Sequence, residues 1–141
     1  MEPKLILFPS FGLVALTFLV WVWLYVQRLG EMKRERIDPQ QIGSSAQSAA
    51  RLHDTRASDN FRNLFELPVL LHVGVLVAFA SAQVDAIGLG LAWAFVALRG
   101  LHSVIQCSYN RVMHRFLAYL AATIVLATFW GRLAWQLAQG T

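Results

Sequence analysis

Charged residues and cysteine are scarce in this 141-residue chain. Only 14% of the residues are Asp, Glu, Lys or Arg, against about 25% in typical soluble domains. This composition argues against a soluble globular domain and, more strongly, against disorder. The chain is also too apolar for a nucleic-acid-binding protein, so we expect no nucleic-acid partner. The single cysteine, Cys107, excludes an intrachain disulfide framework and a cysteine-rich metal site.

Long apolar runs dominate the sequence, and 57% of all residues are hydrophobic. The first run, residues 5–26, is 22 residues long and carries no charge, whereas about 20 residues cross the hydrocarbon core of a bilayer. None of the runs alternates in polarity as a membrane β-strand does. We therefore predict an all-α membrane protein in which four transmembrane helices form an antiparallel bundle. The predicted spans are residues 5–27, 61–84, 86–110 and 115–137 of a single domain covering residues 1–141.

A cleaved signal peptide is the alternative interpretation of the first run. Its apolar part would be about 7–15 residues long and would be followed by small residues at a cleavage site. The first run is longer and ends at Gln27 and Arg28, so an uncleaved helix is favoured. Residues 28–55 form the predicted first loop. Residues 47–63 contain no Gly or Pro, so we expect the second helix to begin before its apolar part and to project from the membrane.

Lys and Arg residues are concentrated in the loops on one side of the predicted bundle. Seven of the twelve lie between residues 28 and 62, and Arg111 and Arg115 lie in the third loop. Cytoplasmic loops of membrane proteins carry an excess of Lys and Arg. Loops one and three are therefore predicted to be cytoplasmic, with both termini on the opposite side.

A polar stripe runs along one face of the third span. Arg99, His102, Gln106 and Tyr109 are spaced at i, i+3, i+7 and i+10. Over the predicted span, Arg99 lies about 20 Å from one end and about 16 Å from the other. A charge at that depth is costly and marks a candidate functional site, so the stripe must face another helix, another subunit or a wet cleft. Arg99 has two compatible roles, contact with a ligand and a buried ion pair that locks the bundle.

The polar start of the second helix is the counterpart of this stripe. Arg56, Asn60 and Asn63 are spaced at i, i+4 and i+7 on one face. Glu66 lies on the flank of that face, near the cytoplasmic edge, where a bridge to the stripe of the third helix is geometrically possible. These four residues are predicted to bind a ligand together with the stripe.

Basic residues follow the stripe at its cytoplasmic end. Arg111, His114 and Arg115, together with Arg28 and Arg56, are predicted to form a basic mouth for a small anionic ligand with carboxylates. Arginine binds such groups through two parallel hydrogen bonds. The alternative is a set of solvated charges near the lipid phosphates. The histidines of this region do not converge with Cys107, so we expect no metal site.

Three segments carry a resemblance to a known family. Residues 56–68 begin with Arg56-Ala-Ser-Asp-Asn60, residues 99–103 have an Arg-x-x-His face, and residues 109–116 contain the basic end of the stripe. With four helices and a basic first loop, they resemble the MAPEG superfamily (membrane-associated proteins in eicosanoid and glutathione metabolism), and most of all its bacterial branch. The resemblance covers nearly the whole chain. It implies a homotrimer in a bacterial inner membrane.

The resemblance also implies an activity, that of a glutathione-dependent transferase or peroxidase acting on lipophilic electrophiles. Glutathione would be bound between neighbouring subunits near the cytoplasmic side, with no metal. The implied partners are further copies of the same chain, membrane lipid and a lipophilic small molecule. The lipophilic second substrate would reach the site from the bilayer.

Individual roles follow from the same resemblance. Arg111 or Arg115 would stabilise the thiolate of glutathione, because a nearby cation favours the charged form of a thiol. Arg99 and His102 would line the base of the site. The charged ends of glutathione would be held by Arg56, Asn60 and Glu66.

Two positions depart from the glutathione-using members of that family. Those members carry an acid three residues after the Asn of helix two, where this chain has Asn63. They also carry a Tyr seven residues after the Arg of helix three, where this chain has Gln106. Either Glu66 and Tyr109 substitute from the next turn, which makes Tyr109 a candidate catalytic residue, or this branch does not use glutathione in the same way. The alternative function is a non-catalytic trimer that binds lipid or a partner, with the stripe as an intersubunit lock.

Overall fold

The computed structural model describes residues 2–139, apart from the side chains of Ser45 and Ala49. Within these residues the secondary structure is helical and contains no strand. Four helical segments are long and apolar enough to cross a membrane, which confirms the predicted all-α membrane protein. These segments are Pro3–Glu35, Arg56–Ala80, Ala86–Cys107 and Val112–Gln139.

Short connections join the helices. A 3-10 turn leads into the first helix, and a second 3-10 turn lies in the first loop. The second span consists of two helices rather than one. The helices are α1 (Phe8–Glu35), α2 (Ser45–Arg51), α3 (Arg56–Asn63), α4 (Leu67–Ala80), α5 (Ala86–Cys107) and α6 (Val112–Gln139), and the 3-10 turns are Pro3–Leu7 and Pro39–Ile42.

The predicted first loop, residues 28–55, is largely helical. Helix α1 continues to Glu35 and stops where Arg36 takes a left-handed conformation with φ of 54°. Helix α2 is separate from α3, so the second helix does not project as one rod from residue 47. The separation has a local cause, because Leu52 is buried and the backbone N–H of His53 donates to Oε1 of Glu31 at 2.6 Å. These contacts hold the chain between α2 and α3 against α1.

A break divides the second span inside its predicted length. Helix α3 ends at Asn63 and α4 begins at Leu67, with Glu66 in a non-helical conformation between them. Pro68 lies in the first turn of α4, where the backbone N–H that proline lacks is not needed for the helix. The polar and apolar parts of the second span are therefore two separate helices.

The third span ends earlier than the polar pattern predicts. Helix α5 stops at Cys107, and Asn110 takes a left-handed conformation with φ of 48° before α6 begins. Tyr109 is consequently in a turn, so it does not extend the helical stripe as predicted. Arg99 lies eight residues, or about 12 Å, from the end of α5 and about 20 Å from its start. It is therefore nearer the end of the span than the predicted distance of about 16 Å.

Helices α4 and α6 approach closely at Gly74. A Cβ atom placed on Gly74 would lie 2.7 Å from Cε1 of Phe129 and 3.1 Å from the ring of Trp130. Phe129 is buried, and Trp130 is fixed because its Nε1–H donates to the backbone oxygen of Leu70 at 3.2 Å. The contact belongs to a core of small and large side chains from α1, α4, α5 and α6. Its members include Leu13, Leu71, Val75, Ala92, Phe95, Ala122 and Leu126.

Substitution of Gly74 by alanine is expected to destabilise the protein by about 1–3 kcal/mol, because the added methyl group would overlap the buried ring of Phe129. The measurement is thermal unfolding of the purified protein in detergent. Gly131→Ala is the matched control, since Gly131 lies on α6 and a Cβ atom placed there would meet no neighbouring group within 4 Å. Equal unfolding temperatures for the two variants would contradict the close approach.

Asp85 joins the start of α5 to the end of α6, at the opposite end of α5 from the polar stripe. Its Oδ1 accepts from the backbone N–H of Gly88 at 2.7 Å, which caps the N-terminus of α5. Its Oδ2 accepts from Arg132 and, at 3.2 Å, from Nε2 of Gln136. The hydrogen bond from Arg132 is the main reason that the pKa of Asp85 lies below its ordinary value. Asp85 thus ties the α4–α5 turn to the end of α6.

The Asp85 cluster predicts a loss of stability in acid. A carboxylate with a lowered pKa in the folded protein contributes stability that is present above its ordinary pKa of about 3.9 and is lost as the pH falls through the lowered value. At pH 7, Asp85→Asn should cost roughly 1 kcal/mol, because asparagine keeps the cap but not the charge. Unfolding temperatures of both proteins, measured from pH 7 down to pH 3, should converge at the acid end. A constant difference over that range would rule out the ion pair as the cause.

Candidate functional site

The polar faces of α3 and α5 pack against each other. Oδ1 of Asn60 accepts from Oγ of Ser103 at 3.2 Å, and Nδ2 of Asn60 donates to Sγ of Cys107 at 3.4 Å. One turn further on, Nδ2 of Asn63 donates to Oε1 of Gln106 at 3.2 Å. The stripe therefore faces the start of the second span within one chain. Cys107, which the helical pattern places away from the stripe, in fact contacts Asn60.

Arg99 is completely buried in this interface. Its relative exposure is 0%, and its Nη2 donates to the backbone oxygen of Asn63 at 2.7 Å. That oxygen belongs to the last residue of α3, so the cation lies at the negative end of the helix dipole. The guanidinium carbon lies 5.8 Å from the ring centroid of Tyr119. Nε and Nη1 have no hydrogen-bond partner among the described residues, which leaves two buried donors unsatisfied.

A cleft of about 320 Å³ lies beside Arg99, between the α3–α4 break, α5 and α6. His102 forms part of its wall with only 2% exposure, and the Nδ1 atom of His102 has no partner among residues 2–139. Arg115 lines the same cleft, and its Nη1 donates to Oδ1 of Asn110 at 3.0 Å. The principal lining residues are Asn63, Glu66, His102, Arg115, Phe116 and Tyr119. We call this space the α3–α6 cleft.

The α3–α6 cleft combines charge with an apolar wall. Arg115 supplies a cation, and Glu66 supplies a carboxylate that forms no ion pair with the described residues. The predicted bridge from Glu66 to the stripe is therefore absent, and Arg99 binds the carbonyl of Asn63 instead. Phe116 and Val112 line the cleft and are more than half exposed on the outer face of α6. The arrangement can bind an anionic group beside an apolar group.

Seven of the eleven predicted site residues do not line the α3–α6 cleft. Asn60, Arg99 and Gln106 are buried in the interface between α3 and α5, and four more lie elsewhere. Arg28 lines a separate cavity beside α1. Arg111 is exposed. Tyr109 is also exposed, and its hydroxyl lies 3.2 Å from Nδ1 of His114. Within one chain the predicted basic mouth does not form, because Arg115 is the one arginine of that group that lines the cleft.

Arg56 also lies outside the cleft, where it connects the first loop to the end of α5. Its Nε donates to Oδ1 of Asp54 at 2.8 Å, its Nη2 donates to Oδ2 of Asp54 at 2.7 Å, and its Nη1 donates to the backbone oxygen of Ser108. The hydrogen bonds from Arg56 hold the pKa of Asp54 below its ordinary value. The Asp54 carboxylate therefore stays ionised at neutral pH and offsets the charge of Arg56.

Sequence reasoning missed Tyr119, Phe116 and Asn110. The ring of Tyr119 lies near both Arg99 and His102, with its centroid 6.1 Å from that of His102. Tyr119 is four residues after Arg115, so helical spacing from a basic residue already in the candidate set was the available signal. The role of Asn110 depends on a left-handed turn and has no comparable periodic signal.

These observations define an integral, multi-pass membrane protein with a polar site between its second and third spans. Within residues 2–139 no group of three or more His, Cys, Asp or Glu residues could hold a metal ion. The MAPEG family profile matches residues 6–135, and the chain belongs to the MAPEG family. The resemblance seen in the sequence is thus confirmed. No curated protein and no solved structure gives a significant match to the chain.

Proposed function

We propose that this protein is a glutathione-dependent transferase or peroxidase that acts on lipophilic electrophiles. Family membership supports the proposal, since the MAPEG family includes enzymes of this kind. The observation that carries it is the α3–α6 cleft, a space of about 320 Å³ lined by the cation of Arg115 and by His102, whose buried Nδ1 has no partner among residues 2–139. Donors without partners beside a polar cleft favour a ligand that carries acceptor groups.

The residues of the cleft suit the chemistry of glutathione. The peptide carries two carboxylates, an ammonium group and a thiol. Arg115 and His102 can donate hydrogen bonds to a carboxylate or a thiolate, and the Glu66 carboxylate can accept from an ammonium group. Arg99 lies directly behind this wall, and its buried charge adds to the positive potential there.

Arg115 is the proposed catalytic residue. Glutathione supplies a nucleophilic sulfur, and a guanidinium close to that sulfur favours its ionised form. The hydrogen bond from Arg115 to Asn110 fixes the direction of the guanidinium, so no reorganisation is needed during the reaction. Phe116 and Val112 provide an apolar approach from the bilayer for the electrophile.

A homotrimer is part of the proposal. In one chain the α3–α6 cleft has walls from three helical segments and is open on the remaining side. A neighbouring subunit that packs there would complete the site and bring further polar groups to it. The proposal also places loops one and three, and with them the cleft, on the cytoplasmic side of a bacterial inner membrane.

The direct test uses purified protein in detergent. Glutathione at millimolar concentration should raise the unfolding temperature, and the protein should conjugate a chlorinated aromatic electrophile or reduce a lipid hydroperoxide. S-methylglutathione is the control, because it keeps the charged groups but has no thiol, so it should bind without turnover. The absence of both a thermal shift and turnover would refute the proposal.

A second candidate function is a non-catalytic trimer that binds lipid or a protein partner. The observation in its favour is the hydrogen bond between Asn63 and Gln106, the two positions that depart from the glutathione-using pattern. Because these amides are bonded to each other, their groups are engaged within the protein. A thermal shift with fatty acids or phospholipids, but not with glutathione, would favour this function.

A further inference from the structure

A second polar cavity lies on the opposite face of α3. Arg56, Asn60 and Asn63 are on the face directed toward the end of α5, whereas Ser58, Asp59 and Arg62 line a space of about 330 Å³ between α3, the first loop and the cytoplasmic half of α1. We call this space the loop cavity. It shares no lining residue with the α3–α6 cleft.

Glu31 is a buried anion in the wall of the loop cavity. Its relative exposure is 5%, and its Oε1 accepts from the backbone N–H of His53 at 2.6 Å. Within the described residues no cation lies in ion-pair contact with this carboxylate. One neutral hydrogen bond does not compensate the removal of a carboxylate from water, so a buried charge of this kind calls for a cationic partner.

Gln27, one turn before Glu31 on α1, adds a second acceptor to the same wall. Its Nε2 donates to Oδ2 of Asp54 at 3.2 Å, which directs its amide. Its Oε1 is buried and has no partner in residues 2–139. Oε1 of Gln27 and Oε2 of Glu31 therefore have no donor among the described residues, and the two side chains line the cavity one helical turn apart.

Cations line the loop cavity as well, but they do not contact its carboxylates. The guanidinium groups of Arg28 and Arg62 form no hydrogen bond or ion pair with the described residues, and Asp59 likewise has no ion-pair partner there. Groups of opposite charge that line one space without direct contact leave room for a ligand bearing both charges. The overall balance of these charges disfavours a ligand of high net charge.

We propose that the loop cavity binds a small zwitterion, with a primary ammonium group against Glu31 and Gln27 and a phosphate or carboxylate against Arg28 and Arg62. The ammonium supplies N–H donors for Oε2 of Glu31 and Oε1 of Gln27. The guanidinium groups suit an oxyanion. A free metabolite and the phosphoethanolamine headgroup of a membrane lipid share this chemistry. The inference rests on the loop cavity alone and is independent of the proposed glutathione site.

The test measures the unfolding temperature of the full-length protein in detergent with O-phosphoethanolamine, with glycine and with phosphocholine. At a concentration well above its dissociation constant, a zwitterion with a primary ammonium should raise the unfolding temperature by about 3 °C or more. Phosphocholine should not, because its quaternary ammonium has no N–H to donate. Reconstitution in phosphatidylethanolamine or phosphatidylcholine bilayers tests the lipid headgroup as the source.

Glu31→Gln should abolish the response, because it removes the charge while keeping an acceptor for His53. Glu35→Gln is the matched control, one turn further along α1 and outside the lining of the loop cavity. Arg28→Gln should weaken the response by removing one partner of the anionic group. Arg115→Leu should leave it unchanged, which separates this site from the α3–α6 cleft.

The outcomes are distinct. A Glu31-dependent shift with soluble zwitterions identifies a metabolite, and a Glu31-dependent shift only in phosphatidylethanolamine identifies the lipid headgroup. An equal shift in Glu31→Gln, an equal shift with phosphocholine, or no shift with any probe or bilayer would overturn the proposal.

Discussion

Substitution of Arg115 by leucine is expected to lower the turnover number for glutathione conjugation by about 100- to 1,000-fold, the usual effect of removing one positioned donor from a developing negative charge. Arg115 lines the α3–α6 cleft, and Asn110 fixes its guanidinium. The side chain is only half-buried and its one hydrogen bond is local, so the unfolding temperature should change little. Steady-state kinetics with a chlorinated aromatic substrate measures the effect.

The controls for this prediction come from the same turn. Arg111→Leu removes an equal charge four residues earlier, but Arg111 does not line the cleft, so activity should fall less than threefold. Arg115→Lys should recover part of the turnover number, because a point charge replaces a planar donor. If Arg111→Leu lowered turnover as much as Arg115→Leu, the thiolate would be stabilised by the positive charge of the whole surface and not by Arg115 in particular.

Substitution of Arg99 by methionine is expected to weaken glutathione binding at least about tenfold and to leave the oligomer intact. The change removes the buried cation behind His102 and Tyr119 and leaves the backbone oxygen of Asn63 without its donor, at a cost of about 1–3 kcal/mol. Arg99 contacts the backbone oxygen of Asn63 and the ring of Tyr119, so its removal should act first on the packing of α3 and α6 behind the cleft. The measurements are ligand-induced thermal shift and the size of the detergent-solubilised particle.

The two open roles of Arg99 give opposite results in this experiment. Oligomers of normal size without a glutathione response would support the positioning role. Monomers, with no dependence on ligand, would support the lock and favour the non-catalytic function. Leu101→Met is a suitable control on the same helix, because Leu101 is exposed on the outer face of α5.

Hydrophobic run length predicted the four helices that can span a membrane, because the cost of polar groups in lipid acts on the whole segment. Helical spacing also placed Arg99, His102 and Gln106 on the buried face of α5 and paired that face with Asn60 and Asn63. Both signals are averaged over many residues. They survive local irregularities in the backbone.

The rest of the site depends on single positions that periodicity does not describe. The left-handed turn at Asn110 ends the third span early and moves Tyr109 to the surface, so the stripe has three members on the helix rather than four. Arg56 pairs with Asp54, a residue only two positions away, and this short-range contact competes with a ligand. The hydrogen bond between Asn63 and Gln106 joins residues 43 positions apart and could be seen only once the packing of α3 on α5 was known.

The interruption between α3 and α4 has an evolutionary consequence. It exposes a terminal carbonyl at Asn63, and that carbonyl is the group Arg99 binds. In a related protein whose second span is one continuous helix, the carbonyl of Asn63 would accept a hydrogen bond within that helix. The guanidinium of Arg99 would then be buried without this acceptor. The interruption and the arginine should therefore be inherited or discarded as a unit.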